Sequence, residues 1–107
     1  MAEFTRINCA TAHQLWQQGN TAFADIRDAR SFAMGHIPGA VHLTDASLSE
    51  FLQQLDDEQQ VVVVCYHGNS SQGAAQYLAG QGIEFVSSLD GGMTAWGQQY
   101  PEAMERG

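Results

Sequence analysis

Short apolar runs and helically spaced apolar positions take turns along the chain. Phe4-Thr5-Arg6-Ile7 reads as a short strand, and Asn8 stands where it can cap a helix. In that helix Ala12, Leu15 and Trp16 recur at helical spacing until Gly19-Asn20 stops the pattern, and Trp16 belongs to the core. Residues 21–26 make a second strand, which ends in the polar cluster Asp25-Ile26-Arg27-Asp28. A helical turn over residues 30–34 leads to Gly35-His36-Ile37-Pro38-Gly39-Ala40. With two glycines and a proline around one apolar residue, that hexapeptide is a tight, specified turn. Val41-His42-Leu43 follows as a short strand, and Ser47 or Asp45 caps a helix with Leu48, Phe51, Leu52 and Leu55 on one face.

The strongest signal is Val61-Val62-Val63-Val64, four β-branched residues with no polar one among them. Such a run belongs to a strand buried on both faces in the middle of a parallel sheet. It ends at Cys65, and a short polar stretch with Gly68 and Asn69 leads to a serine-capped helix start at Ser70-Ser71. Gly80-Gln81-Gly82 ends that helix, residues 85–89 form a last strand, and Asp90-Gly91-Gly92 turns into a helix bearing Met93 and Trp96. The alternation predicts an α/β fold: one domain, residues 1–107, with a small, mostly parallel sheet of about five strands and helices on both faces. The Cys65 thiol then lies between a strand's carboxyl end and a helix's amino end. Open α/β sheets bind ligands at that edge, and the helix turns unpaired N–H groups and a positive dipole end toward it.

Charge narrows the partners. The chain of 107 residues carries twelve acids against four arginines and no lysine, a net charge of −8. Nucleic acid and anionic membranes require clusters of Lys and Arg, so neither is expected as a partner. Small anions are opposed as well, although salt confines that field to roughly 8 Å, so an anionic substrate must be attracted locally. No basic-then-apolar leader and no run near the ~20 apolar residues of a membrane span is present, and a cytoplasmic location is expected. Both cysteines, Cys9 and Cys65, read as reduced thiols, and the ligand set of a structural zinc is absent. No metal or cofactor is expected. Cys9 reads as a small buried hydrophobe, whereas Cys65 has glycine, hydroxyls and an amide for neighbours.

Three stretches together resemble one family. Residues 25–27 through Gly35-His36-Ile37-Pro38-Gly39-Ala40 look like the first signature of rhodanese domains, Cys65-Tyr66-His67-Gly68-Asn69-Ser70 like their active-site loop, and Leu89-Asp90-Gly91-Gly92 with Trp96 like their closing signature. The loop is most similar to that of bacterial single-domain GlpE-type thiosulfate sulfurtransferases. The resemblance implies that Cys65 attacks the outer sulfur of thiosulfate, that sulfite leaves, and that a persulfide hands its sulfur to cyanide or a thiol acceptor, thioredoxin among them. It further implies that the N–H groups of Tyr66, His67, Gly68, Asn69 and Ser70 curl around the sulfur and bind substrate. A ring of donors with a helix dipole stabilises thiolate, persulfide and thiosulfate oxygens with no basic side chain.

Many rhodaneses have arginine directly after the cysteine and again at the loop's end, where this chain has Tyr66 and Ser70, and glutamate where it has Ser31. Fewer charge-assisted contacts imply weaker thiosulfate binding. Arg27 is expected to pair with Asp28 or another acid. His67 takes a positioning or hydrogen-bonding role, His36 is a satisfied turn residue, and Asp25, Arg27 and Asp90 stabilise the fold near the loop. Two other readings remain beside this one. Cysteine-dependent phosphatases and arsenate reductases use a loop one residue longer that ends in arginine, but the sixth position after Cys65 is Ser71 and no arginine lies between Arg30 and Arg106. Rhodanese-like domains also serve as non-enzymatic binding modules, which commonly lack the cysteine.

Overall fold

The computed structural model describes residues 3–56 and 58–107. Five strands, β1 (Thr5–Ile7), β2 (Thr21–Asp25), β3 (Val41–His42), β4 (Gln60–Val64) and β5 (Phe85–Leu89), form one sheet in the order β1-β5-β4-β2-β3. Every pairing is parallel. The helices are α1 (Cys9–Gln18), α2 (Ala29–Met34), α3 (Leu48–Gln54), α4 (Ser70–Gly80) and α5 (Gly92–Gln99). None is long and apolar enough to cross a membrane among the described residues.

The valine run explains the two-faced core. Val61 through Val64 are all fully buried in the central strand, and side chains along a strand alternate between faces. Val62 and Val64 join Phe23, Ile37 and Leu89 beneath Cys9 and Ala12 of α1 and Met93 and Trp96 of α5. Val61 and Val63 join Ala24 and Val86 beneath Phe51 of α3 and Ala75 and Leu78 of α4. Neither face of the strand can therefore tolerate a polar residue, which is why the run is unbroken.

Local chemistry sets the helix ends. Asn8 accepts from Thr11 N–H at 2.9 Å, and Gly19 closes α1 in the left-handed region at φ 81°. Ser47 does not cap α3 with its side chain as the sequence suggests, nor does Asp45 stand at the cap position. Instead the Ser47 hydroxyl donates to the His42 carbonyl and accepts from Thr44 N–H, both at 2.9 Å, tying the helix to the end of β3. The turn at residues 35–40 is fixed by the C-terminal segment. His36 and Glu105 exchange backbone hydrogen bonds at 2.9 and 2.8 Å, and the buried His36 ring stacks on Phe32 and bonds its carbonyl at 2.8 Å. His36 is thus a satisfied turn residue.

Arg27 pairs with Asp25 and not with Asp28. Its Nε and Nη2 meet the two Asp25 oxygens at 3.0 and 2.7 Å, and Nη2 also donates to the Gly35 carbonyl at 2.7 Å. Asp25 ends β2 fully buried, where a carboxylate must have a cation and several donors. Asp28 is occupied elsewhere: it caps α2 by accepting from Ser31 N–H at 3.2 Å. Removing Arg27 leaves a buried carboxylate uncompensated, so Arg27→Met should lower unfolding stability by about 3–5 kcal/mol in a denaturant titration. Adding Asp25→Asn should recover part of that loss, because no charge is then left behind.

Candidate active site

Cys65 leaves the end of β4 at the sheet's carboxyl edge, and Ile26 N–H fixes that end by donating to the Val64 carbonyl at 3.0 Å. Cys65 as a whole is 4% exposed. Around its Sγ the chain folds back, so that Gly68 N–H and Ser71 N–H point at the sulfur from 3.1 and 3.3 Å. The Ser71 hydroxyl lies 3.3 Å from Sγ and 2.7 Å from the Ser88 hydroxyl, both serines being fully buried.

The serine cap expected at the start of α4 is absent. Asn69 occupies the cap position without a side-chain hydrogen bond, and Ser70 is exposed. The physical reason is that Ser71, the second residue of α4, already gives its N–H to the sulfur. A capping oxygen normally accepts from the second or third residue of a helix. Cys65 Sγ takes that place, so the helix end and the thiol satisfy each other.

Burial pushes the Cys65 thiol up, but the Ser71 hydroxyl and the N–H groups of Ser71, Gly68 and His67 outweigh it and hold the group below its ordinary value. The serine pair suits both charge states. A hydroxyl has one proton to give and lone pairs to accept with, so Ser71 accepts from a thiol and donates to a thiolate, with Ser88 compensating behind it. Cys9 has the opposite environment. Its sulfur lies in the core, 4.0 Å from the Asp90 carbonyl, and burial raises its pKa.

The loop is pinned from below by α5. Met93 N–H donates to the Cys65 carbonyl at 2.8 Å and Thr94 N–H to the Tyr66 carbonyl at 3.0 Å. This approach requires glycine: a Cβ on Gly92, at φ 58°, would lie 2.5 Å from the carbonyl oxygens of Cys65 and Tyr66. Gly68, at φ 92°, faces the same turn, with Gly91 N and Leu89 O 2.9 Å from where its Cβ would be. Asp90 contributes an exposed ion pair with Arg6 at 2.8 Å, a contact of small energetic weight.

Of the five residues expected to line the sulfur, Gly68 gives a directed hydrogen bond and His67 N–H favours the thiolate. Tyr66 is 44% exposed, with its phenol on Asp28 and Ser31 and its ring 5.7 Å from the Arg27 guanidinium. The Asp28 carboxyl is lowered to about 2, first by the Tyr66 phenol and then by Ser31. The His67 side chain is exposed, and its ring has no hydrogen-bond partner among the described residues. Asn69 and Ser70 are exposed as well. Sequence reasoning missed Ser71 and Ser88. Ser71 was legible as the second residue of a helix whose first turn faces a thiol, and Ser88 as the hydroxyl two residues after Val86, on the same side of β5. Among the described residues no cluster of three or more His, Cys, Asp or Glu is arranged to hold a metal ion.

The family profile of the Rhodanese-like domain matches residues 9–99. Among solved structures, a thiosulfate sulfurtransferase from Pseudomonas aeruginosa superposes with a TM-score of 0.84 at 24% identity, covering 98% of this chain and 20% of that one. CoADR-RHD from Bacillus anthracis gives 0.78 at 21% identity, covering 94% of this chain and 18% of that one. A protein of unknown function and possible tyrosine phosphatase from Rhodopseudomonas palustris gives 0.77 at 24% identity, covering 90% and 81%. At these identities the likeness is one of fold, and the chain spans about a fifth of the first two proteins.

Alkylation of Cys65, followed by mass spectrometry against pH, should show an inflection below the ~8.5 of a free thiol. The rate should fall as pH drops through that inflection, because the thiolate is the reacting form. Ser71→Ala should move the inflection upward, and Cys9 should react more slowly throughout. An inflection unmoved by Ser71→Ala would remove the hydroxyl from the account.

Proposed function

The chain belongs to the family of rhodanese-like domains, and from that premise we propose that it is a sulfurtransferase that moves the outer sulfur of thiosulfate through a Cys65 persulfide. The Cys65 thiolate attacks the outer sulfur, the bond between the two thiosulfate sulfurs breaks, and its electron pair departs with sulfite. A persulfide anion remains on Cys65. Cyanide or an acceptor thiolate then attacks the terminal sulfur, and the electron pair of the breaking bond returns to Cys65 as thiolate.

The observation that carries this reading is a sulfur surrounded by neutral donors. Gly68 N–H, Ser71 N–H and the Ser71 hydroxyl surround Sγ and stabilise its negative charge in the attacking thiolate and again in the thiolate that the second step releases. No step demands a general base, because the attacking group is already a thiolate. Donor amides at the start of α4 also offer an anionic substrate local attraction that an overall charge of −8 does not. Tyr66, Asn69 and Ser70 remain assigned to substrate binding in this proposal, as the exposed rim of the loop. Phosphoryl transfer fits poorly, because the loop contains no arginine to hold equatorial phosphate oxygens. A purely binding role leaves a stabilised thiolate without purpose. The acceptor is a small nucleophile or a protein thiol, thioredoxin among the candidates.

Treatment with thiosulfate should add the mass of one sulfur to Cys65, and cyanide should remove it. Cys65→Ser should abolish both events, since a hydroxyl at neutral pH forms no persulfide, whereas Cys9→Ser should cost stability at most. Sulfur mapping to Cys9, or turnover by Cys65→Ser, would overturn the assignment. Initial rates at several acceptor concentrations should give parallel double-reciprocal lines. Intersecting lines would mean that sulfite does not leave before the acceptor reacts.

A further inference from the structure

Tyr66 shares a peptide bond with the nucleophile and is gripped from two sides. From α5, Thr94 N–H donates to its carbonyl at 3.0 Å, beside the Met93 bond to the Cys65 carbonyl at 2.8 Å. From α2, its phenol donates to Asp28 Oδ1 and shares a hydrogen bond with Ser31 Oγ, while its ring lies 5.7 Å from the Arg27 guanidinium carbon. Arg27 is fixed in turn on the buried Asp25 carboxylate at the end of β2, the strand paired with β4. The phenol is therefore bonded to the start of α2, and its ring faces a guanidinium that is itself bonded to the end of the sheet. Two of the three positions at which the sequence departs from the commoner rhodanese pattern, Tyr66 and Ser31, meet in this one contact.

Anchoring both the carbonyl and the side chain of one residue fixes its backbone dihedrals. Those dihedrals direct the next two amides, His67 and Gly68, and the Gly68 N–H lies 3.1 Å from Sγ. A loop residue as exposed as Tyr66 has little side-chain packing to do that job, so the hydrogen bonds of its phenol to α2 complete what the α5 bond to its carbonyl begins.

We propose that Tyr66 is a positioning residue whose phenol, latched to Asp28 and Ser31, aims the following N–H groups at Cys65 and so sets the stability of its thiolate. It touches neither the sulfur nor the transferred atom. Asp28 is the acceptor of the latch and the cap of α2 at once.

The inference rests on Cys65 as the nucleophile, but its test does not need sulfur transfer, so the two can fail separately. The readout is the pH inflection of iodoacetamide modification at Cys65, located by mass spectrometry in the full chain, for Tyr66→Phe, Asp28→Ala and Asp28→Asn. Tyr66→Phe keeps the ring over Arg27 and loses only the hydroxyl. It should raise the inflection by about half a pH unit or more, reducing modification about threefold on the acid side. Asp28→Ala should do the same, and the double variant should add nothing further. Asp28→Asn keeps one of the two acceptor oxygens, so its inflection should rise less than that of Asp28→Ala. A parent-like inflection in Tyr66→Phe would overturn the proposal, even if the unfolding midpoint fell. An inflection no higher in Asp28→Ala than in Asp28→Asn would also overturn it, because both variants lose the charge and the lost hydrogen bond would then make no difference. Should Tyr66→Phe fail to fold, the Asp28 pair decides alone.

Discussion

The site depends on the backbone of residues 65 and 66 lying directly against the start of α5, with no room between them for a side chain. Met93 and Thr94 give their N–H groups to the Cys65 and Tyr66 carbonyls, and Gly92 is the residue that lets them come so close. With the carbonyls drawn toward α5, the amides of the same loop are free to face the other way, toward the sulfur. One helix amino end thus orients the loop, and a second, that of α4, completes the donor set around Sγ.

In the proposed sulfur transfer, this arrangement reconciles the net charge with an anionic substrate. A protein with a net charge of −8 is a poor long-range attractor of anions, and its few arginines are engaged in part with structure: Arg6 on Asp90 and Arg27 on Asp25. Fixed dipoles aimed at one atom act over a few ångströms, where salt screens little, and they stabilise an anion without attracting ions to the whole surface. Because Cys65 takes the acceptor role of a helix cap, folding and chemistry draw on the same hydrogen bonds. A bare thiolate and a helix end lacking its acceptor would each be costly, and each removes the other's cost.

Two otherwise similar carboxylates near the loop have separate tasks, and burial separates them. Asp25, fully buried, needs the two-toothed guanidinium of Arg27 and is a fold residue. Asp28, at the surface, is free to cap α2 and to receive the Tyr66 phenol. The same division distinguishes the cysteines. Cys9 is among apolar neighbours that favour the neutral thiol, while Cys65 is as buried but surrounded by donors that favour the charged one. Exposure alone does not separate the two thiols; the orientation of nearby N–H and O–H groups does.

By itself the sequence determined the features that local pattern dictates. The valine run, the alternating elements, the Asn8 cap, the glycine stops and the cysteine between strand and helix are all set by residues near one another, and each stands where expected. The parallel five-strand sheet was legible for the same reason, since short connections between alternating strands and helices leave few other topologies. Partnerships across the chain were not legible. Arg27 had Asp25 and Asp28 within one residue or two, and only the burial of the β2 end selected between them. Ser70 and Ser71 are the same residue type side by side, and only the path of the loop turned the second inward to the sulfur and to Ser88. Nor could spacing show that Tyr66 and Ser31, 35 residues apart, share a hydrogen bond. Periodicity encodes which side of an element faces the core, but a hydrogen bond between distant segments exists only once packing has fixed both ends, and in this protein that is where the candidate chemistry resides.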